Sequence, residues 1–91
     1  MHKIDIKDRL EKILLKIYKK NRKLHDQIMK KIREISNSPD FEHYKNLRTP
    51  LQHLKRVHIG HFVLIFKFDK KQNIISFENF KHHDQIYVEK W

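Results

Sequence analysis

The apolar residues of this chain follow two different periods, and the change between them happens once. Leu10, Ile13, Leu14 and Ile17 stand at i, i+3, i+4 and i+7, and Leu24, Ile28, Ile32 and Ile35 continue at helical spacing. A stripe of that kind buries one face of a helix against a core and leaves the Lys- and Arg-rich face to water. From Leu54 onward the spacing is that of strands, so the chain must place helices against a sheet.

Asp8 stands where a cap for the first helix is expected. Ile17 and Leu24 keep phase over seven residues, which would allow one long helix. Two helices broken near Asn21 are preferred, because the stripe lacks an apolar member there and a small core covers short helices better. Ser36-Asn37-Ser38-Pro39-Asp40 disfavours continuation and ends the helical part. Before the helices, His2 to Ile6 alternates Ile4 and Ile6 with polar residues, a short strand. Phe41 to Pro50 has no period and reads as loop, with Thr49-Pro50 extended or turning.

Three strands follow, Leu54 to Ile59, Phe62 to Phe68 and Ile74 to Phe80, with Gly60-His61 and Asp69 to Asn73 as turns. Phe62, Leu64, Phe66 and Phe68 share one face of the middle strand and Val63 and Ile65 the other, which predicts a central strand with helices on at least one side. Gly60, the only glycine, predicts a tight turn or bulge with positive φ. The expected architecture is α+β: an N-terminal strand and two helices packed on a small antiparallel sheet, one domain spanning residues 1–91. A chain of this length buries roughly 60 to 65% of its unfolded surface.

Charge narrows the partners. Lys and Arg number 21 against 11 Asp and Glu, a formal net charge of +10, and so small a basic body attracts nucleic acid or an acidic protein. Part of the excess serves as solvated helix surface. Eight histidines add further charge as pH falls through about 6.5. The absence of cysteine fits a reducing compartment, so an intracellular, cytoplasmic protein is expected. No apolar run approaches the ~18 residues of a membrane span, and MHKIDIKDRL carries charge where a signal peptide is apolar.

Five of the eight histidines lie at or beyond His53. If the first and third strands flank the middle one, His58, His61, His82 and His83 gather at one end or face of the sheet. Metal-free RNA cleavage needs a base for the 2′-hydroxyl proton, an acid for the departing 5′-oxygen and cations for the charge at phosphorus. Two histidines can serve as acid and base near neutrality, with Lys55, Arg56 and Lys81 as cations. A lone histidine is more often a solvated or hydrogen-bonded surface residue, and His2, His25 and His43 receive no role.

Two other readings of the same residues stay open. His58-x-x-His61, His82-His83 and Asp84 offer metal-ligand types, but His-x-x-His across a strand end does not bring both rings to one ion without help from the fold. No metal and no cofactor is expected. Basic residues around Phe80, Tyr87 and Trp91 would alternatively form an RNA-binding surface with no catalysis. The helical stripe is core, and a groove between helix and sheet would suit an acidic helical peptide.

The segment from Leu47 to Tyr87, LRTPLQHLKRVHIGHFVLIFKFDKKQNIISFENFKHHDQIY, resembles the toxins of the RelE/ParE superfamily of type II toxin-antitoxin systems. The likeness lies in Pro-Leu, then a basic residue-x-His-Ile, an aromatic-aliphatic strand and His-His-Asp-x-x-Tyr, and is nearest to the histidine-rich YafQ-like and archaeal RelE-like branch. With the preceding strand and helix pair it covers nearly the whole chain.

The resemblance implies a small endoribonuclease that cuts mRNA in the ribosomal A site by activating the 2′-hydroxyl, neutralised by an acidic cognate antitoxin. It makes Arg56 and His58 the basic and histidine residues of the strand before the turn. It makes His82 or His83 the histidine of the final segment and Tyr87 the aromatic that stacks on a substrate base. Arg48, Lys55, His61 and Lys81 are the expected RNA contacts. The chain has Val63 where many members carry an arginine, Thr49 in place of a histidine before Pro-Leu, and His61 in place of an aspartate after the turn, so phosphate charge falls to Arg56 or Lys55. The rival functions are ParE-like inhibition of a topoisomerase, which needs no histidine, and a non-catalytic relative that binds RNA or antitoxin.

Overall fold

The computed structural model describes residues 2–39 and 43–88. Its order is β1 (Lys3–Ile6), α1 (Asp8–Lys20), α2 (Arg22–Ser36), β2 (Lys55–Ile59), β3 (Phe62–Asp69), β4 (Ile74–His82) and a 3-10 turn (His83–Gln85). The α+β architecture is the expected one. The sheet runs β1-β4-β3-β2, and β1 lies parallel to β4 while the other pairs are antiparallel. The N-terminal strand therefore joins the sheet and makes it mixed.

The helices break at Asn21, as the missing stripe member predicts. Its φ of −148° leaves the helical region, its backbone N–H closes the first helix on Ile17 O, and its side chain accepts from the N–H of Leu24 to cap the second. Asp8 corrects an expectation, because it is the first helical residue and Lys7 holds the cap position with no side-chain hydrogen bond. The physical reason is the ladder: Lys7 N–H is bonded to Phe77 O, and the Lys7 carbonyl already accepts from Leu10 and Glu11. Asp8 instead places its charge in the first turn, where the helix dipole favours it.

Both helices bury their apolar stripe on one face of the sheet. Leu10, Leu14, Ile28, Ile32 and Ile35 pack with Ile59, Leu64, Phe66, Ile75, Phe77 and Phe80. Phe77 and Phe80 both reach this face because the β3–β4 register shifts between Ile65 and Phe66, from Asn79 to Phe77, stepping over Glu78. The opposite face is covered by chain that lacks regular structure: Leu47, Leu51, Leu54 and Ile86 close over Val63 and Ile65. Thus β3 is apolar on both sides, as a strand covered on both faces should be.

The segment 43–54 is more than a loop. Asn46 bridges Lys55, Leu47 N–H donates to Leu54 O, and Arg56 N–H donates to Lys45 O, so the segment lines the outer edge of β2. The Thr49-Pro50 peptide is cis. Gly60 turns with φ +62°, as its sequence position predicts. The second turn closes with Asp69 accepting from the N–H groups of Lys71 and Gln72 and with Asn73 at φ 55°.

Candidate active site

Strand alternation decides which side chains meet on the second face. On β2, Val57 and Ile59 pack with the helical core, so Arg56 and His58 point the other way. There the chain opens a cleft of about 170 Å³ floored by Val63 and walled by Asn46, Leu47, Arg48, Arg56, His58, His83, Ile86 and Tyr87. Five expected site residues, Arg48, Arg56, His58, His83 and Tyr87, come together in it. They arrive from three separate parts of the chain: the 43–54 segment, β2, and the turn after β4.

His58 is held by its neighbour two positions back on the same face. Arg56 Nη1 stands 2.6 Å from His58 Nε2, and a guanidinium only donates, so Nε2 is an unprotonated acceptor. His83 is held differently. The carbonyl of His61 receives both the backbone N–H and Nδ1 of His83, each at 3.0 Å, which assigns a proton to Nδ1. Nε2 of His83 lies 2.9 Å from an Asp84 carboxylate oxygen. A ring with an acceptor at each nitrogen is bonded on both sides when it carries two protons. The two histidines of the cleft therefore have complementary partners: a donor facing His58, acceptors facing His83.

Arg48 and Tyr87 close one side. The backbone N–H of Arg48 donates to the Tyr87 hydroxyl at 2.6 Å, and its guanidinium lies 4.4 Å from the centre of the Tyr87 ring. Tyr87 keeps 39% of its surface exposed while lining the cleft. Through Arg48, Ile86 and Tyr87 the cleft runs into a larger groove of about 1010 Å³ that Arg9, His53 and Lys67 also line.

Four expected site residues lie elsewhere. Lys55 donates to Tyr44 O and Asn46 Oδ1 at 3.2 Å each, tying the 43–54 segment to the sheet. His82 pairs with Phe62 in register and sets its ring edge-on to Phe62 at 5.6 Å, on the helical side. His61 is exposed at the hairpin tip, its ring 6.2 Å and 6.3 Å from those of His82 and His83. Lys81 pairs with Val63 and has its ammonium buried. Trp91, named for an aromatic RNA surface, lies outside the described residues. Sequence reasoning missed Asn46 and Ile86. Ile86 carried a signal, since it is the one aliphatic residue between Lys81 and Tyr87.

The family model described as the ParE toxin of type II toxin-antitoxin systems, parDE, matches residues 4–87. The chain belongs to the RelE/ParE family of toxins. Among its relatives, a Methanocaldococcus jannaschii protein that bears the name "Putative toxin RelE4" is 46% identical over 91 residues, covering 99% of this chain and 95% of that protein. In structure, the isolated RelE toxin of E. coli superposes with a TM-score of 0.74 at 17% identity, over 97% of this chain and 90% of that one. A chain of the intact E. coli RelBE toxin-antitoxin complex gives 0.72 at 15% identity, over 90% and 96%. The RelE/ParE fold is thus shared with solved toxins, and the archaeal relative carries the likeness into sequence. This chain is a toxin of a type II toxin-antitoxin system. Among its described residues no helix is long and apolar enough to cross a membrane.

Proposed function

We propose that this RelE-family toxin is a ribosome-dependent mRNA endoribonuclease, working in the cytoplasm by metal-independent acid-base catalysis and restrained by an acidic cognate antitoxin. The observation that carries the reading is the cleft in which Arg56 donates to His58 Nε2 while His83 faces acceptors at both nitrogens. A base needs a free lone pair and an acid needs a proton, and these partners suit the two rings to opposite roles.

In this mechanism the RNA phosphate draws Arg56 away from His58, which frees Nε2 to take the 2′-hydroxyl proton. The 2′-oxygen attacks phosphorus, the P–O5′ bond breaks, and His83 protonates the departing 5′-oxygen. The products are a 2′,3′-cyclic phosphate and a 5′-hydroxyl. Arg56 and Arg48 hold the charge that builds on the phosphoryl oxygens, and Tyr87 stacks on a base beside the cut. Among the other expected RNA contacts, Lys55 acts through the segment it anchors and His61 through the carbonyl that orients His83. Lys81, with its ammonium buried, and His82, the other histidine of the final segment, stay outside the cleft.

The rival is inhibition of a topoisomerase by protein binding, kept in view because the matching family model is described by parDE. The test is primer extension on a reporter message in a reconstituted translation reaction, with and without ribosomes. Cuts confined to translated message support the nuclease. Intact message together with a stalled topoisomerase reaction supports the rival.

A further inference from the structure

We infer that His82, His83 and Asp84 form a binding site for a divalent transition ion of the zinc class. Resting on the reading of His83 as the acid, occupation of that site switches cleavage off. One ligand atom from each of His82, His83 and Asp84 lies within 4.8 Å of the other two. Asp84 Oδ2 is 3.5 Å from His82 Nδ1 and Oδ1 is 2.9 Å from His83 Nε2. Ligand atoms around a tetrahedral zinc ion, each about 2.1 Å from it, sit about 3.4 Å apart. Binding the ion through His82 Nδ1 replaces the hydrogen bond that this atom accepts from the Asp84 N–H at 3.2 Å, and side-chain rotation closes the three donors to that spacing.

The fold supplies what the spacing of residues alone lacks. The His61 carbonyl ties down Nδ1 of His83, and a histidine held at one nitrogen by a carbonyl presents the other as a metal ligand with a fixed ring orientation. The His82 and His83 rings already stack with centres 4.6 Å apart. Strand β4 ends at His82 and the 3-10 turn begins at His83, and this change of backbone direction lets consecutive residues face one point. His61, with its ring beside both others, is within reach of the fourth position. His58 belongs to a different group, bound to Arg56 in the cleft, so the site is not the His-x-x-His pair of the sequence.

Two imidazoles and one carboxylate select borderline ions such as Zn²⁺ over Mg²⁺. The ion displaces the proton from His83 Nε2 to solvent, and an imidazole that holds zinc there has no proton to give to a leaving oxygen. The result is a toxin quenched by zinc.

Titration calorimetry of the whole protein with ZnCl₂ tests the site directly, with MgCl₂ as control. The expected result is one saturable Zn²⁺ site per chain, weakened at least tenfold in Asp84→Asn and in His82→Ala, with folds verified by circular dichroism. Asp84→Asn keeps the side-chain shape, so it answers even if His82→Ala fails to fold. Absence of saturable binding in the wild type, or binding unchanged in Asp84→Asn, overturns the site. In the cleavage assay Zn²⁺ should stop wild-type cutting and a chelator restore it. Zinc that binds without slowing a working nuclease overturns the switch, and a protein that binds zinc but never cuts RNA overturns the proposed function while leaving the site in place.

Discussion

Arg56 donates to Nε2 of His58 at 2.6 Å from two positions back along one strand, so a guanidinium of the cleft and its candidate base share a single contact. In the proposed mechanism a phosphate that competes for the guanidinium releases the base at the moment it is needed. Arg56→Ala should lower the cleavage rate by about 10²-fold or more, the usual loss on removing one donor to a developing oxyanion. Arg56→Lys should recover only part of it, since an ammonium does not reproduce the guanidinium fork. Single-turnover cleavage rates on translated message decide this, and equal rates for Arg56→Ala and wild type would remove Arg56 from the mechanism.

Tyr87 has two separable jobs in the proposed mechanism. Its hydroxyl accepts from the Arg48 N–H, and its ring stands ready to stack. Tyr87→Phe should cost about 1 kcal/mol of stability through the lost hydrogen bond and leave most of the cleavage intact, whereas Tyr87→Ala should lose cleavage with the ring. Denaturant unfolding and cleavage rates measured on both variants separate the two roles, and a Tyr87→Ala protein that cuts at the wild-type rate would exclude stacking.

The sequence made the fold legible wherever a period could be read. The helical stripe, the break at Asn21 and the three strands of the meander were all visible, because each repeats a pattern that secondary structure imposes on burial. The pairing of β1 with β4 was not, since a parallel contact between elements far apart in the chain leaves no local mark. The site was legible in residue type and only partly in place. Alternation along β2 could sort Arg56 and His58 from Lys55. Choosing His83 over His82 depended on where β4 stops and the 3-10 turn begins, and β4 runs two residues past Phe80, where the sequence pattern ends it.

Gly60 at φ +62° has open space where a Cβ would stand, so a side chain there meets conformational strain and no clash. Gly60→Ala should destabilise the protein by about 1–2 kcal/mol, and Gly60→Asn by less, because asparagine tolerates the left-handed region. Thermal unfolding of the two variants checks the order. The reverse order would mean that contacts rather than φ govern this turn.

Asn21 separates the helices and caps the second. Asn21→Ala should cost about 1 kcal/mol, and Asn21→Asp should restore most of it, since aspartate is an equal cap. Urea unfolding midpoints measure both, and an Asn21→Ala protein as stable as wild type would assign the break to packing alone.

Salt reports on the basic surface. With a net charge of +10, binding to a single-stranded RNA should weaken steeply between low and physiological salt, and the Arg48→Ala, Arg56→Ala double variant should show a slope shallower by about 1.4, from two phosphate contacts at about 0.7 each. Fluorescence anisotropy with a labelled RNA gives both slopes, and identical slopes would place the phosphates elsewhere.

In the proposed mechanism His58 takes the proton and His83 gives one. The most direct measurement is cleavage, by wild type, His58→Ala and His83→Ala, of translated messages carrying either an ordinary linkage or a 5′-phosphorothiolate at the cut site. A departing thiolate needs no general acid. Both variants should fail on the ordinary message, and the sulfur substitution should restore His83→Ala and leave His58→Ala inactive. Rescue of His58→Ala instead, or full activity of either folded variant on the ordinary message, would contradict that mechanism.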